Sequence, residues 1–223
     1  MNTFQPDLIV EVTGACNKAC VGCYAPNVVT KDAVEVYEKR PELFISVSSL
    51  NNAWNELEQW SQITAIRGGE PTLHPKLPVL LIMAANKSEQ VLLETHGRWL
   101  LTENIAKYKE LIKTIKAKKV IVKISFDKMH GMKKEELQKI TDFLAKNEIS
   151  YRIAITEENL AKYIESRALC DFIEEEKIIF QQKATRADEL IKPTIGTINV
   201  RGEIKKTLNH KFLYEMSLGA AFA

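Results

Sequence analysis

Short runs of β-branched and aliphatic residues alternate along this chain with segments whose apolar positions return every three or four residues. The first run, Asp7 to Thr13, is rich in Ile and Val and predicts a strand. Leu50, Ala53, Trp54, Leu57 and Trp60 repeat at helical spacing, and Ser48 or Ser49 can cap that helix. Ile63 to Arg67 predicts a second strand ending at Gly68-Gly69, then a helix from Leu77 to Lys87 and a strand from Gln90 to Thr95. Thr102 is placed to cap a helix running to Lys116, ahead of a strand from Lys119 to Phe126. A helix from Lys133 to Lys146 precedes the strand Tyr151 to Thr156. Another from Glu157 to Arg167 precedes the last strand of the series, Lys177 to Gln182.

Strands alternating with helices at this rate imply parallel pairing with the helices outside. Six such units fall short of the eight that close a barrel. The expected fold class is therefore α/β, a partial (β/α)6 TIM-like barrel of parallel strands. After Ile191 the pattern changes: Thr197 to Ile204 reads as strand, turn and strand, a small C-terminal hairpin extension and not a further unit. Phe212 to Phe222 is a terminal helix or a loose end. The expected organisation is a barrel domain over residues 1–190, with residues 191–223 packing on it as an extension.

Alternation within the strands separates two faces. Val122, Ile124 and Phe126 share one, while Lys123, Ser125 and Asp127 share the other. The same rule sets Glu11 beside Thr13 and Glu94 beside His96, and it adds Arg67 and Arg152. Apolar faces should meet the outer helices, so the polar face should line the interior. Charges there cost several kcal/mol each unless they pair with one another or with a ligand. A lumen holding Glu11, Arg67, Glu94, Lys123 and Arg152 suits a substrate bearing carboxylate, phosphate or amine groups. Lys123 and Arg152 are the residues expected to act on it. Internal ion pairs of purely structural role are the alternative.

Composition narrows the classes. A 45% hydrophobic and 27% charged chain is that of a globular domain with one core, and disorder is not indicated. A net charge of +2 supplies no field to gather nucleic acid. Leu77 to Ala85, the longest apolar run, is too short to cross a bilayer and contains Pro78, so no membrane partner is expected. The residues before Asp7 lack the pattern of a secretory leader, so none is expected. Three of the four cysteines crowd into one loop, which points to metal in a reducing compartment, hence the cytoplasm.

That loop is Cys16-x-x-x-Cys20-x-x-Cys23. Three thiolates can hold three irons of a cubane and leave the fourth iron open, whereas closed structural sites take four protein ligands. Gly68-Gly69-Glu70-Pro71 follows the second predicted strand. Its glycines let backbone approach a ligand closely, and Glu70 can accept hydrogen bonds from an ammonium group. Functional groups of parallel α/β folds gather at the C-terminal ends of strands. The cysteine loop, the diglycine, Thr95-His96-Gly97 and Ser125-Phe126-Asp127 leave four successive strands and so should meet at one rim.

Blander readings stand beside these. The three cysteines could form a zinc site completed by Cys170 or a histidine, and Ser125 and Asp127 could merely cap the next helix. Cys170 reads as a small buried hydrophobe, His74 and His130 as solvated loop residues, and Trp54, Trp60 and Trp99 as core or rim packing.

In Cys16-x-x-x-Cys20-x-x-Cys23 and Gly68-Gly69-Glu70-Pro71, in that order, the chain resembles the radical S-adenosylmethionine (radical SAM) superfamily over about residues 7–182. The resemblance implies a [4Fe-4S] cluster on Cys16, Cys20 and Cys23, with S-adenosyl-L-methionine held through its amine by Gly68, Gly69 and Glu70. Thr95, Ser125 and Asp127 stand where family members often contact the cofactor. The family usually has an aromatic residue just before the third cysteine, near the adenine. Here Gly22 stands there and Tyr24 follows the cysteine instead. The implied activity is reductive cleavage of the sulfonium and hydrogen abstraction from a peptide or small-molecule substrate. A reducing partner such as flavodoxin or ferredoxin is implied too. The hairpin resembles the extension of peptide-modifying members but carries no cysteine, so no auxiliary cluster is expected. A glycyl-radical-enzyme activase is one alternative, and a non-catalytic metal-binding module with a structural zinc or iron–sulfur site is another.

Overall fold

Of the strands and helices in the computed structural model, the first half of the chain supplies β1 (Leu8–Thr13), β2 (Ala15–Cys16), β3 (Val28–Val29), α1 (Ala33–Lys39) and α2 (Val47–Leu57). It continues with β4 (Ser61–Gly68), α3 (Leu77–Ala85) and β5 (Ser88–Thr95). The second half supplies α4 (Lys109–Ala117), β6 (Ile121–Ser125), α5 (Lys134–Lys146), β7 (Tyr151–Glu157), α6 (Leu160–Ala168) and β8 (Ile178–Gln182). A hairpin of β9 (Gly196–Ile198) and β10 (Ile204–Lys205) closes the series. The structure describes residues 6–20, 23, 28–57, 60–103, 105–126, 130–157, 160–182 and 196–205. Tyr24, Asp127 and the segment Phe212 to Phe222 lie outside them.

One sheet carries the order β10-β9-β1-β4-β5-β6-β7-β8. Every neighbouring pair from β9 to β8 is parallel, and only β10 runs against its partner. Among the described residues the sheet is open, with edges at β10 and β8, so the α/β partial-barrel architecture holds. The hairpin is also present, and its first strand adds to the sheet beside β1, pairing Ile9 with Thr197.

The helices pack through the stripe that the pattern marked. In α2, Leu50, Ala53, Trp54 and Leu57 are buried, and Ser46 caps the helix by accepting the Ser49 N–H at 2.9 Å. The cap is thus Ser46 and neither of the two expected, Ser48 or Ser49. Trp60 is not on that stripe: α2 ends at Leu57, Trp60 directly precedes β4, and it is 57% exposed. The segment from Thr102 begins with a tight turn at Ile105–Tyr108 before α4. Glu157 stays in β7, where its carboxylate accepts the Ser166 hydroxyl at 2.6 Å, so the sixth helix starts later than expected.

The two faces of the sheet differ as alternation requires. Val10, Ile66, Leu93, Val122 and Ile153 join the helices in the main core. The opposite face begins with a small apolar layer of Ile9, Ala65, Leu92 and Ile121. Two residues further along each strand stand Glu11, Arg67, Glu94 and Lys123, with Arg152 following across β7.

Candidate cofactor site

The rim is assembled by a bulge. β1 and β4 are in register at Glu11↔Arg67, but the next pair is Thr13↔Gly68, so β1 carries an extra residue, Val12. Thr13 is thereby pressed against Gly68. A Cβ on Gly68 would lie 2.3 Å from the Thr13 carbonyl oxygen, and Gly68 has φ +151°, so only glycine is accommodated here. The close approach lets Gly69 N–H donate to Thr13 O at 2.8 Å and Glu70 N–H donate to Ala15 O at 2.9 Å. The diglycine and the start of the cysteine loop are thus one hydrogen-bonded unit. Cys16 itself ends β2, which pairs with β3, and it is buried; Cys20 is half-buried and Cys23 exposed.

Glu70 sits at the centre, 1% exposed. Its Oε1 accepts the hydroxyls of Thr72 and Thr95, both at 2.7 Å, and the Thr72 N–H at 3.2 Å. Its Oε2 accepts the His96 N–H at 3.1 Å, with the His96 ring nitrogen Nε2 also 3.2 Å away. Thr95 gives its one proton to Glu70 and accepts Gly97 N–H at 3.0 Å, so its hydroxyl orients the carboxylate. Ser125 ends β6 at the same rim, half-buried. Tyr24 and Asp127, the other residues expected here, are outside the described residues.

The chemistry of the donor set fits an iron–sulfur cluster. Burial pushes the Cys16 thiol up to about 12; the Lys18 N–H opposes that shift, while Glu70, Cys23 and Cys20 add to it. Three thiols of one loop beside a carboxylate would repel one another once ionised, and a bound metal centre would both deprotonate the thiols and offset that charge. Among the described residues no three Cys, His, Asp or Glu side chains gather as a single bound ion requires. Cys170 belongs elsewhere: it is fully buried, its thiol lies 3.7 Å from Ser166 O, and the charges acting on it are Arg167, Asp171 and Lys134.

Below the rim the charged row is real. Arg67 and Glu11 are 3.5 Å apart and Lys123 and Glu94 2.8 Å apart. Burial alone would raise Glu94, but the charges of Lys123 and Arg67 outweigh it and hold the carboxyl below its ordinary value. Burial keeps Glu11 above its ordinary value, with Arg67 opposing. Lys123 and Arg152 are cross-strand neighbours, and Arg152 donates to Tyr151 O at 3.0 Å.

Three polar residues at the rim carry more than the sequence reading assigned them. Thr72 and His96 hold Glu70, and Asn17 receives His96 Nε2 at 2.8 Å. The only advance signal was that His96 leaves a strand end beside Glu94. His74, read as solvated, is 3% exposed: its ring donates to Ile45 O at 2.9 Å and accepts Lys76 N–H, and burial lowers its pKa.

No protein-family model matches the chain, and no curated protein matches it in sequence. Solved structures do share its fold. Hexahistidine-tagged anSMEcpe with bound AdoMet is 16% identical, over 82% of this chain and 52% of that one, with a TM-score of 0.54. Native anSMEcpe with bound AdoMet gives 16%, 82%, 53% and 0.55, and the same protein with AdoMet and Kp18Cys peptide gives 16%, 82%, 52% and 0.53. The chain spans about half the length of these structures. anSME is an anaerobic sulfatase-maturating radical SAM enzyme. The open parallel sheet built here, with cysteine loop and diglycine joined at its C-terminal rim, therefore shares its fold with these AdoMet-bound structures.

Proposed function

We propose that this protein is a radical SAM enzyme acting on a polar substrate, a peptide or a small metabolite. Cys16, Cys20 and Cys23 would hold a [4Fe-4S] cluster, and Gly68, Gly69 and Glu70 would receive the amine of S-adenosylmethionine. Bound there, the pair supplies one-electron cleavage of the sulfonium and removal of a hydrogen atom from the substrate. The chain's own part is positional. The bonds from Gly69 to Thr13 and from Glu70 to Ala15 tie the nucleotide-holding loop to the cluster loop. Thr72 and Thr95 aim the Glu70 carboxylate. Residues 1–190 would form the catalytic barrel with 191–223 as its extension, reduced by a flavodoxin- or ferredoxin-like partner in the cytoplasm.

The observation that carries the reading is the hydrogen bond from the Glu70 N–H to Ala15 O at 2.9 Å, which supports an amine-accepting carboxylate beside the loop of the cluster thiols. The charged row is in keeping with a polar substrate, because Lys123 and Arg152 are cross-strand neighbours on the interior face of the sheet. The peptide bound by native anSMEcpe is in keeping with a peptide as one such substrate. Anaerobic reconstitution tests the proposal. About four irons per chain and release of 5′-deoxyadenosine on reduction are expected; a single tightly held zinc and no nucleotide cleavage would overturn it.

A further inference from the structure

Asn17 directly follows the first cysteine, and its side chain reaches across the rim to the end of β5. Its Oδ1 accepts the His96 Nε2–H at 2.8 Å, a bond between residues 79 positions apart in the chain. The other ring nitrogen, Nδ1, accepts the Arg98 N–H at 3.1 Å, so the neutral ring carries its proton on Nε2 and donates it to Asn17. His96 is buried, and its backbone N–H donates to Glu70 Oε2 at 3.1 Å. Arg98 is fixed in its turn. Its Nε and Nη2 donate to the two Glu136 oxygens at 3.1 Å, its Nη1 to His130 O at 3.0 Å, and its Nη2 also to Gly131 O at 2.6 Å. His96 is therefore a post, held from behind by Glu70 and Arg98, that presents one proton to the cysteine loop.

We infer that His96 is a positioning residue that seats the cysteine loop on the end of β5 through Asn17, so that the loop beyond Cys16 is in place to hold iron. Cys16 is fixed independently, since β2 pairs with β3 and the Thr30 N–H donates to Cys16 O at 2.8 Å. Cys20 and Cys23 come later in the loop, turned onto one another by the bond from Cys23 N–H to Cys20 O at 3.3 Å. The Asn17–His96 bond ties that stretch to the residue whose backbone also holds Glu70, so one residue links the thiol loop and the carboxylate. A loop already seated loses less freedom when it closes on a metal. The inference rests on the proposed function, since it takes the iron to be that of a cluster on Cys16, Cys20 and Cys23.

The test follows the release of iron to a ferrous chelator from anaerobically reconstituted protein. Asn17→Ala should release iron about fivefold faster than wild type, the size of one neutral hydrogen bond. Asn17→Asp, which keeps an acceptor for the Nε2 proton, should release it at the wild-type rate. In a His96→Leu background the Asn17→Ala change should add nothing, as a double-mutant cycle reads directly. Ser166→Ala controls for general loosening: it removes the buried bond from α6 to Glu157, 2.6 Å long, and should leave iron release unchanged. Wild-type release from Asn17→Ala overturns the inference, and so does Asn17→Asp as fast as Asn17→Ala. An undiminished effect in the His96→Leu background, or equal speeding by Ser166→Ala, overturns it too. The Asn17→Asp comparison leaves the buried ring intact, so it decides the matter even where His96→Leu does not fold. Wild-type protein that takes up no cluster iron refutes the proposed function itself, whereas iron-loaded wild type beside an indifferent Asn17→Ala overturns this inference alone.

Discussion

Replacing Glu70 by glutamine removes one oxygen from the centre of the rim, and the structure allows the consequence to be worked through. Each carboxylate oxygen receives a backbone N–H: Oε1 that of Thr72 and Oε2 that of His96. A glutamine has only one carbonyl oxygen, so in either orientation its amide N–H₂ faces a buried backbone donor. A lost bond with an unsatisfied buried donor costs about 1–3 kcal/mol. The two 2.7 Å hydroxyl bonds from Thr72 and Thr95 also weaken from charge-assisted to neutral, by about 1 kcal/mol each. The sum is about 3–5 kcal/mol, a large part of the 5–15 kcal/mol that holds a domain. At about 2–4 °C per kcal/mol for a chain of this length, Glu70→Gln should melt about 6–20 °C lower by calorimetry. It should also bind S-adenosylmethionine more weakly. A melting point within about 2 °C of wild type would refute the bonding scheme from which the site is built.

Gly68→Ala should cost about 2 kcal/mol or more, because its Cβ meets the Thr13 carbonyl at 2.3 Å on a backbone with φ +151°. Gly131→Ala, at φ +56° with nothing within 4 Å of its Cβ, should cost about 1 kcal/mol; equal losses in urea unfolding would remove the steric argument. Lys123→Met leaves the half-buried Glu94 with only Arg67 nearby to offset its charge and should destabilise by about 1–3 kcal/mol. It should lower substrate turnover more than iron content, and parallel loss of both would count against a substrate role. Glu136 is held down to about 2, first by its hydrogen bond from Arg98 and then by the Lys133 N–H. A carboxyl depressed from 4.5 stabilises fully above that pH and loses its contribution as pH falls toward about 2. Acid titration of Glu136→Gln should therefore be flatter than wild type between those values; coincident curves would show that the pair contributes nothing.

The strands were legible because apolar side chains on a parallel strand must alternate between a helix-covered face and an interior. Lys123, Glu94 and Glu11 could be assigned inward before any coordinates, and they do share a face. The cysteines and diglycine were legible because their spacing is local. Trp60 misled because it continues the helical period past Leu57, where α2 ends, and directly precedes the strand that begins at Ser61. The period alone has no means of ending the helix. His74 misled because a histidine in a connecting segment looks solvated until the chain from Leu43 to Ile45 packs over it.

By itself the chain's order of residues determined that six strands alternate with helices, that three thiols crowd one loop, and which side chains share an interior face. Those are consequences of periodicity and spacing within a few residues. Only the tertiary structure decided that β9 joins the sheet beside β1, that a bulge at Val12 drives Thr13 onto Gly68, and that Glu70 is ringed by Thr72, Thr95 and His96. These contacts join residues as far apart as Ile9 and Thr197. Their partners follow from strand order and register, which hydrogen bonding between distant segments sets and local pattern does not record.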